Sequence, residues 1–168
     1  MENSSSPGNS GRTPSFIVRF IATGAFSGYS PIASGTAGSL VGLLIYCIPG
    51  FEAISLLGPL IVVSFIIGVY TSSTMEQIYG KDPSIVVIDE VVGMWIALLF
   101  LPKTIYAAAL SFLWFRIYDI IKPPPARQLD AKSGGFAIML DDVVAAIYAN
   151  ATVWIIGFLI PAIFNSTR

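Results

Sequence analysis

Long apolar segments separated by short polar connections dominate this chain. Residues 53–71 and 143–164 contain no charged side chain, and each is long enough to cross the roughly 30 Å hydrocarbon core of a bilayer as a helix. Residues 85–101 and 105–121 are two further apolar segments, separated by a turn that begins at Pro102. This pattern predicts an all-α, multi-helical integral membrane protein with about four to five membrane-embedded helices.

The N-terminal part of the chain is less regular. Residues 1–15 are rich in Ser, Gly, Asn and Pro, which predicts a disordered tail, and residues 16–168 are expected to form one helical domain. Residues 16–26 are apolar but include Arg19 and are too short to span a bilayer, so a surface or half-inserted helix is expected there. Residues 37–48 predict a short or tilted helix that ends at a Pro-Gly pair.

The composition excludes several classes of function. Of 168 residues, 55% are hydrophobic and 11% are charged, whereas a typical soluble domain has about 25% charged residues. The net charge of −1 provides no basic surface, so no nucleic-acid partner is expected. Because the chain has no histidine and one cysteine, histidine-based catalysis, thiolate zinc clusters and an intrachain disulfide are excluded. Any metal or proton chemistry therefore has to use carboxylates.

The placement of lysine and arginine predicts the orientation in the membrane. Most of these residues lie in the N-terminal tail and in the loops around residues 72–84 and 122–142, whereas Lys103 and Arg168 lie in the alternate connections. The positive-inside rule places the two basic loops in the cytoplasm. We expect a multi-pass protein, and the oligomeric state stays open.

Charged side chains inside the apolar segments are the functional candidates. Asp89 and Glu90 lie within residues 85–101, and Arg116 and Asp119 lie within residues 105–121, at whose edge Lys122 follows. A charge at the centre of a bilayer costs about 2.5–3.5 kcal/mol on insertion scales. Such charges are tolerated when they pair, reach an interface or bind an ion.

Structural explanations compete with a functional one. Arg116 and Asp119, and likewise Asp119 and Lys122, are three residues apart and could form intrahelical ion pairs only. Asp141 and Asp142 could cap the N-terminus of the last helix, where the helix dipole favours acidic residues. Asp89 and Glu90 are adjacent like charges, so together they need a cation.

Taken together, the charged groups indicate a phosphate site. The carboxylates are Asp89, Glu90, Asp119, Asp141 and Asp142, with Asp130 in a nearby loop. In the absence of histidine and cysteine ligands, such a cluster prefers a hard cation, most simply Mg²⁺, whose shell is often completed by water and a substrate phosphate. Arg116, Lys122 and Arg127 supply positive charge for that phosphate. The alternative is a small ion-coupled transporter or channel component.

A glycine-hydroxyl segment adds a second candidate for anion binding. Gly35, Thr36 and Ser39 lie at the start of an apolar helix, where small residues let backbone N–H groups approach a phosphate. An ordinary N-cap with glycines for helix packing is the structural alternative. The segment is not a Walker loop, because no Gly-Lys-Ser/Thr follows it.

Four sequence blocks resemble one family. They are PIASGTAGSL at residues 31–40, IDEVVG at 88–93, FRIYDIIKPPP at 115–125 and GGFAIMLDDVVA at 134–145. In this order they are similar to the phosphatidylglycerophosphatase A family, and the resemblance covers about residues 16–160. Together the four blocks are far more specific than any one of them.

The resemblance implies a Mg²⁺-dependent enzyme of phospholipid biosynthesis in the bacterial cytoplasmic (inner) membrane. It would hydrolyse phosphatidylglycerophosphate to phosphatidylglycerol and phosphate at a site facing the cytoplasm. Carried over by position, the expected catalytic residues are Asp89, Glu90, Asp119 and Asp142, and the expected metal ligands are Asp89, Glu90, Asp141 and Asp142. Substrate phosphate is expected at Arg116, Lys122, Gly35, Thr36 and Ser39. Activated water and an aspartyl-phosphate intermediate both remain open as routes for the reaction.

Overall fold

Seven α helices form the part of the chain that the computed structural model describes, residues 13–165. They are α1 (Phe16–Ala22), α2 (Ser34–Tyr46), α3 (Ile54–Tyr79), α4 (Ile88–Ala97), α5 (Ile105–Ile121), α6 (Ala126–Asp130) and α7 (Gly135–Leu159). Two single-turn 3-10 helices, Ser27–Tyr29 and Pro161–Ile163, complete the secondary structure of these residues, which contain no strand. The all-α prediction is confirmed. Nearly all of the predicted N-terminal tail lies outside the described residues.

The helix boundaries differ from the apolar segments where polar residues continue a helix. Helix α5 spans the predicted 105–121, but α3 continues past Thr71 to Tyr79. Helix α7 begins at Gly135, eight residues before the expected start at Val143. In the added turns of α3, Glu76 and Ser73 reach the start of α7, and the added turns of α7 carry Asp141 and Asp142 into the polar end of the bundle. Hydropathy alone does not register such turns.

Helix α4 lies at the centre of the bundle. Eight of its ten residues are buried. Helices α2 and α7 pack most closely against it, and α3 and α5 cover its other sides. Small residues allow the close approach, since a Cβ at Gly42 of α2 would lie 2.9 Å from the carbonyl oxygen of Val91. The indole N–H of Trp95 donates to the carbonyl of Gly42 at 3.0 Å.

The helices alternate in direction, so a particular set of helix termini lies together at one end of the bundle. The N-termini of α2, α4 and α7 meet the C-terminus of α5 there, and the C-terminal half of α3 contacts the start of α7. The charged residues of the sequence blocks lie near these termini. The topology thereby brings residues far apart in the chain to one end of the bundle.

Large apolar side chains cover much of the outer surface. On α3 and α7 more than half of Ile66, Tyr70, Ile155 and Phe158 is exposed, and for Phe158 the exposed fraction reaches 84%. Among residues 13–165, α3 and α7 are the two helices long and apolar enough to cross a membrane, and α2 is a shorter apolar helix. An exposed apolar surface of this extent is typical of contact with lipid or another protein.

The start of α7 is capped by α3. Gly134 precedes the helix and has no side chain to satisfy the first N–H groups. Instead, Glu76 Oε2 accepts from the N–H of Gly134 at 2.7 Å, and Ser73 Oγ accepts from the N–H of Gly135 at 3.0 Å. A carboxylate at this position also interacts favourably with the dipole of α7.

We expect replacement of Glu76 with alanine to lower the free energy of unfolding by about 1 kcal/mol, the usual cost of a lost N-cap. Glutamine keeps an acceptor oxygen, so Glu76→Gln should lose less. Denaturant unfolding of the detergent-solubilised protein, followed by circular dichroism, measures both. An alanine variant as stable as the parent would show that the cap contributes nothing.

Candidate active site

A polar cavity of about 290 Å³ opens at the end of the bundle where these termini meet. Its lining residues are Ala33, Ser34, Gly35, Asp82, Ser84, Val86, Asp89, Glu90, Arg116, Asp119, Lys122, Asp141 and Asp142. They come from four helices and from the loop between α3 and α4. Six carboxylates and two basic side chains therefore share one small space.

Three of these carboxylates form a compact cluster. Asp89 and Glu90 lie in the first turn of α4, and Asp142 faces them from α7. One carboxylate oxygen from each lies within 4.8 Å of the other two. Asp89 and Asp142 are buried, and the oxygens Asp89 Oδ1, Glu90 Oε2 and Asp142 Oδ2 have no hydrogen-bond partner among the described residues.

This cluster, which we call the acidic triad (Asp89, Glu90 and Asp142), fits a divalent cation. Buried like charges at this separation repel one another and lack the solvation that would offset the repulsion. Their unpartnered oxygens are the ligand type that hard divalent cations prefer. The N-terminal dipole of α4 favours two of the carboxylates but cannot neutralise three.

Arg116 forms one positive wall of the cavity. Its Nη1 lies 2.9 Å from Asp119 Oδ2 and 3.9 Å from Glu90 Oε1. The same nitrogen donates to Ser39 Oγ at 3.3 Å, and that hydroxyl in turn donates to the carbonyl of Gly35 at 2.9 Å. Contacts to α2, α4 and α5 therefore hold the guanidinium in place.

Lys122 forms the other positive wall. It caps α5 with a left-handed backbone, φ 49°, and the prolines that follow cannot continue the helix. Its Nζ lies 2.8 Å from Asp130 Oδ1 and 3.9 Å from Asp119 Oδ1, and it is also paired with Asp141. Burial lowers the pKa of Lys122, but the hydrogen bonds to Asp130 and Asp141 outweigh burial and raise the pKa above its usual value. The ammonium group stays charged at neutral pH.

Gly35 lets α2 approach this charged surface. A Cβ at Gly35 would lie 2.2 Å from Glu90 Oε1 and 2.9 Å from Arg116 Nη2. Any side chain at this position would therefore collide with the acidic triad or the guanidinium. The first N–H groups of a helix have no acceptor within the helix, so the start of α2 also presents free donors beside the cavity.

The structure brings most of the predicted site residues together. Gly35 and seven of the charged candidates line the cavity: Asp89, Glu90, Arg116, Asp119, Lys122, Asp141 and Asp142. Arg127 does not line it, and Asp130 contacts it only through its ion pair with Lys122. Ser39 is buried and does not line the cavity, but its hydroxyl accepts a hydrogen bond from Arg116, which does. Thr36 is half-buried in the first turn of α2 and does not line the cavity.

Both structural alternatives for the charged residues are wrong. The intrahelical pairs of Asp119 with Arg116 and Lys122 do form, but both cations also reach carboxylates outside α5. Asp141 and Asp142 do not cap α7, since they lie well inside a helix that begins at Gly135. The first alternative fails because sequence spacing shows only contacts within one helix. The second fails because α7 begins earlier than the charge-free segment.

Asp82 and Ser84 are cavity residues that the sequence did not indicate. Both lie in the polar loop between α3 and α4, where Pro83 separates them. A loop with Asp, Pro and Ser is typical of an ordinary turn, so nothing local distinguishes them. Only the position of the loop over the cavity reveals them.

Comparison with known proteins identifies relatives over most of the chain. The sequence profile of the phosphatidylglycerophosphatase A family matches residues 20–157. The phosphatidylglycerophosphatase A of Escherichia coli strain K12 is 36% identical over 140 residues, which cover 82% of this chain and 81% of the relative. That of Haemophilus influenzae is 38% identical over 149 residues, covering 84% and 89%.

A third relative has a different name. A Bacteroides thetaiotaomicron protein, provisionally named phosphatidylinositol-3-phosphatase, is 36% identical over 158 residues, which cover 87% of this chain and 99% of the relative. No solved structure matches the chain. The family match spans every residue that lines the cavity.

Proposed function

The chain belongs to the phosphatidylglycerophosphatase A family and is a phosphatase, and from that premise we propose that it hydrolyses phosphatidylglycerophosphate to phosphatidylglycerol and phosphate. The observation that carries the proposal is the cavity, where the acidic triad and two fixed cations, Arg116 and Lys122, lie together. A phosphate monoester and a divalent cation together complement such a site. Nothing in the fold or the relatives favours the transporter alternative.

We propose that the protein is embedded in the bacterial cytoplasmic membrane through four to five helices, with the cavity facing the cytoplasm. The exposed apolar side chains of α3 and α7 support contact with lipid. The basic residues Lys81 and Lys122 lie near the cavity end, where both contact Asp130, whereas Lys103 lies at the other end. This asymmetry is the one that the positive-inside rule relates to the cytoplasmic side. A lipid phosphate would then be at headgroup depth.

We propose Mg²⁺ as the cofactor, held by the acidic triad with Asp141 close by. The unpartnered buried oxygens support a resident cation, and an all-oxygen donor set favours Mg²⁺ over softer metals. When bound, the cation supplies positive charge that polarises a phosphoryl oxygen.

The protein's own side chains would bind the phosphate, stabilise its charge and transfer protons. Arg116 and Lys122 would bind the non-bridging oxygens of the phosphate and stabilise the charge that develops on them. Asp119 contacts both cations and holds their separation. A carboxylate of the acidic triad or Asp119 would either take a proton from the water that attacks phosphorus or attack phosphorus itself. In both routes the bond from phosphorus to the headgroup oxygen breaks and that oxygen takes up a proton. In the second route water then hydrolyses the aspartyl or glutamyl phosphate.

Phosphate release by the purified protein tests the proposed function. With phosphatidylglycerophosphate in mixed micelles and Mg²⁺ present, we expect steady release of inorganic phosphate. A chelator should lower the rate by about 10²-fold or more, because uncompensated carboxylates repel the phosphate, and added Mg²⁺ should restore it. Absence of release from any lipid phosphate monoester by the folded protein would refute the proposal.

Phosphatidylinositol 3-phosphate is a second candidate substrate, because one relative that aligns along nearly its whole length carries that name. The two lipids share a phosphate monoester on a polyol headgroup. A comparison of kcat/KM for both lipids under the same conditions decides which one the site prefers.

A further inference from the structure

Asp82 differs from the other acidic residues of the cavity. Asp119 and Asp141 form ion pairs with the basic walls, and the acidic triad accounts for the other three carboxylates, of which Glu90 also lies 3.9 Å from Arg116. Across the described residues 13–165, Asp82 makes no direct hydrogen bond or ion pair, and neither does the hydroxyl of Ser84. The charges of Lys122 and Lys81 act on Asp82 from a distance. The cavity thus has one edge whose polar side chains form no direct hydrogen bond or ion pair with the basic walls or with the acidic triad.

The backbone presents Asp82 at this edge in an unusual conformation. Its φ is +43°, in the left-handed region, and Pro83 follows it directly. Aspartate tolerates this region better than most residues, but the conformation persists only where the surroundings impose it. The loop between α3 and α4 therefore holds the exposed side chains of Asp82 and Ser84 in the lining of the cavity.

The chemistry of this edge suits a neutral hydrogen-bond donor. A carboxylate accepts hydrogen bonds strongly and repels other anions. Because it repels the phosphate, the part of a headgroup that it can bind is an uncharged hydrogen-bond donor. A hydroxyl next to the phosphate-bearing carbon is such a group, because it can donate to Asp82 and accept from Ser84.

Both candidate lipids carry that hydroxyl. In phosphatidylglycerophosphate the carbon adjacent to the phosphorylated carbon bears a free hydroxyl, and in phosphatidylinositol 3-phosphate both neighbouring carbons do. In phosphatidate the corresponding carbon bears a fatty-acyl ester, which has no hydrogen to donate. The two names among the relatives therefore share one local motif, a vicinal hydroxyl.

We propose that Asp82, assisted by Ser84, accepts a hydrogen bond from the hydroxyl adjacent to the phosphate-bearing carbon of the substrate. Through this contact the enzyme selects lipid phosphates with a vicinal hydroxyl and rejects phosphatidate. The inference rests on the proposed phosphatase function and concerns the substrate class of the same site. Asp82 acts here as a specificity residue, separate from the residues that bind the phosphate.

The test compares phosphatidylglycerophosphate with an analogue in which hydrogen replaces that hydroxyl. For the full-length protein in mixed micelles with saturating Mg²⁺, we expect kcat/KM to favour the hydroxyl-bearing lipid by about 10- to 100-fold, the range for a hydrogen bond to a charged group. In Asp82→Gly the preference should fall below about threefold. Asp82→Asn should lie between, since an amide oxygen is a weaker acceptor. Glycine and asparagine both accommodate the positive φ, so the loop is preserved.

Two controls separate selection from other roles. Glu52→Gln alters an exposed acid at the opposite end of the bundle and should keep the parent's preference. The Mg²⁺ dissociation constant of Asp82→Gly, measured without substrate, should match that of the parent. A glycine variant that slows both lipids by the same factor would overturn the inference, as would weakened Mg²⁺ binding.

The parent enzyme also gives an unambiguous outcome. Turnover of both lipids without preference would overturn the selection by Asp82 and leave the phosphatase function intact. Absence of turnover on every lipid phosphate would overturn the proposed function and this inference with it. Rapid hydrolysis of phosphatidate by the parent would contradict the inference directly.

Discussion

Replacement of Asp142 with asparagine is expected to lower kcat by about 10³-fold or more. When several residues act as one catalytic unit, removing one of them costs nearly as much as removing all of them. Asp142 is 3% exposed, and its Oδ2 has no partner among the described residues. An amide has the same shape but lacks the charge that a divalent cation requires. The measurement is phosphate release under saturating Mg²⁺.

Stability should change in the opposite direction. Without metal, the parent buries three neighbouring carboxylates, and removing one charge relieves their repulsion. In chelator, Asp142→Asn should therefore unfold at a higher temperature than the parent. Added Mg²⁺ should raise the unfolding temperature of the parent, as any ligand specific for the folded state does, and should have little effect on the variant.

Asp89→Asn is the matched second variant, since Asp89 contributes another oxygen to the acidic triad. It should repeat both results. Parent-like rates in both variants would refute a metal site at the triad. An equal rise in unfolding temperature with Mg²⁺ in the parent and both variants would place the cation elsewhere.

Replacement of Gly35 with alanine is expected to lower kcat/KM by about 10²-fold, the usual effect of displacing a reacting group by about 1 Å. The added Cβ would lie 2.2 Å from Glu90 Oε1 and 2.9 Å from Arg116 Nη2. Either α2 moves away or both side chains shift, so the triad and the phosphate-binding wall are disturbed together. Alanine is the better helix former by about 1 kcal/mol, so a change in helix propensity would not explain a lower kcat/KM.

Gly58→Ala is the control for that substitution. Gly58 also lies in a helix, but its Cβ would meet only Ile54 Cδ1, at an ordinary 3.5 Å. This variant should keep the parent's kcat/KM and be at least as stable. Parent-like activity in Gly35→Ala would show that the start of α2 lies outside the phosphate site.

Much of the candidate site could be predicted because charge is expensive in an apolar segment. Asp89, Glu90, Arg116 and Asp119 stand out against their neighbours, and all four line the cavity. Helix α5 was also predicted to the residue, since a proline-containing turn precedes it and three prolines follow Lys122. At the start of α7, Asp141 and Asp142 interrupt the apolar sequence, so the charge-free segment begins eight residues after the helix does.

The contacts of the charged residues could not be predicted. Spacing indicated that Lys122 would pair with Asp119, but its Nζ lies nearer to Asp130, at 2.8 Å, and also pairs with Asp141. Likewise, Glu76 falls in the loop predicted around residues 72–84, yet it lies in α3 and caps α7 across the bundle. Such contacts depend on how helices pack, which one-dimensional patterns do not record.

The sequence by itself determined the fold class, the family and the kind of chemistry. Few charges, no histidine and long apolar segments leave an all-helical protein whose reactive groups are carboxylates, arginine and lysine. Only the tertiary structure decided which of these groups form the acidic triad, which ion pairs link different helices, and that Asp82 lines the same cavity. The physical reason is that hydropathy and composition are properties of each residue, whereas charge neutralisation is a property of neighbours in space.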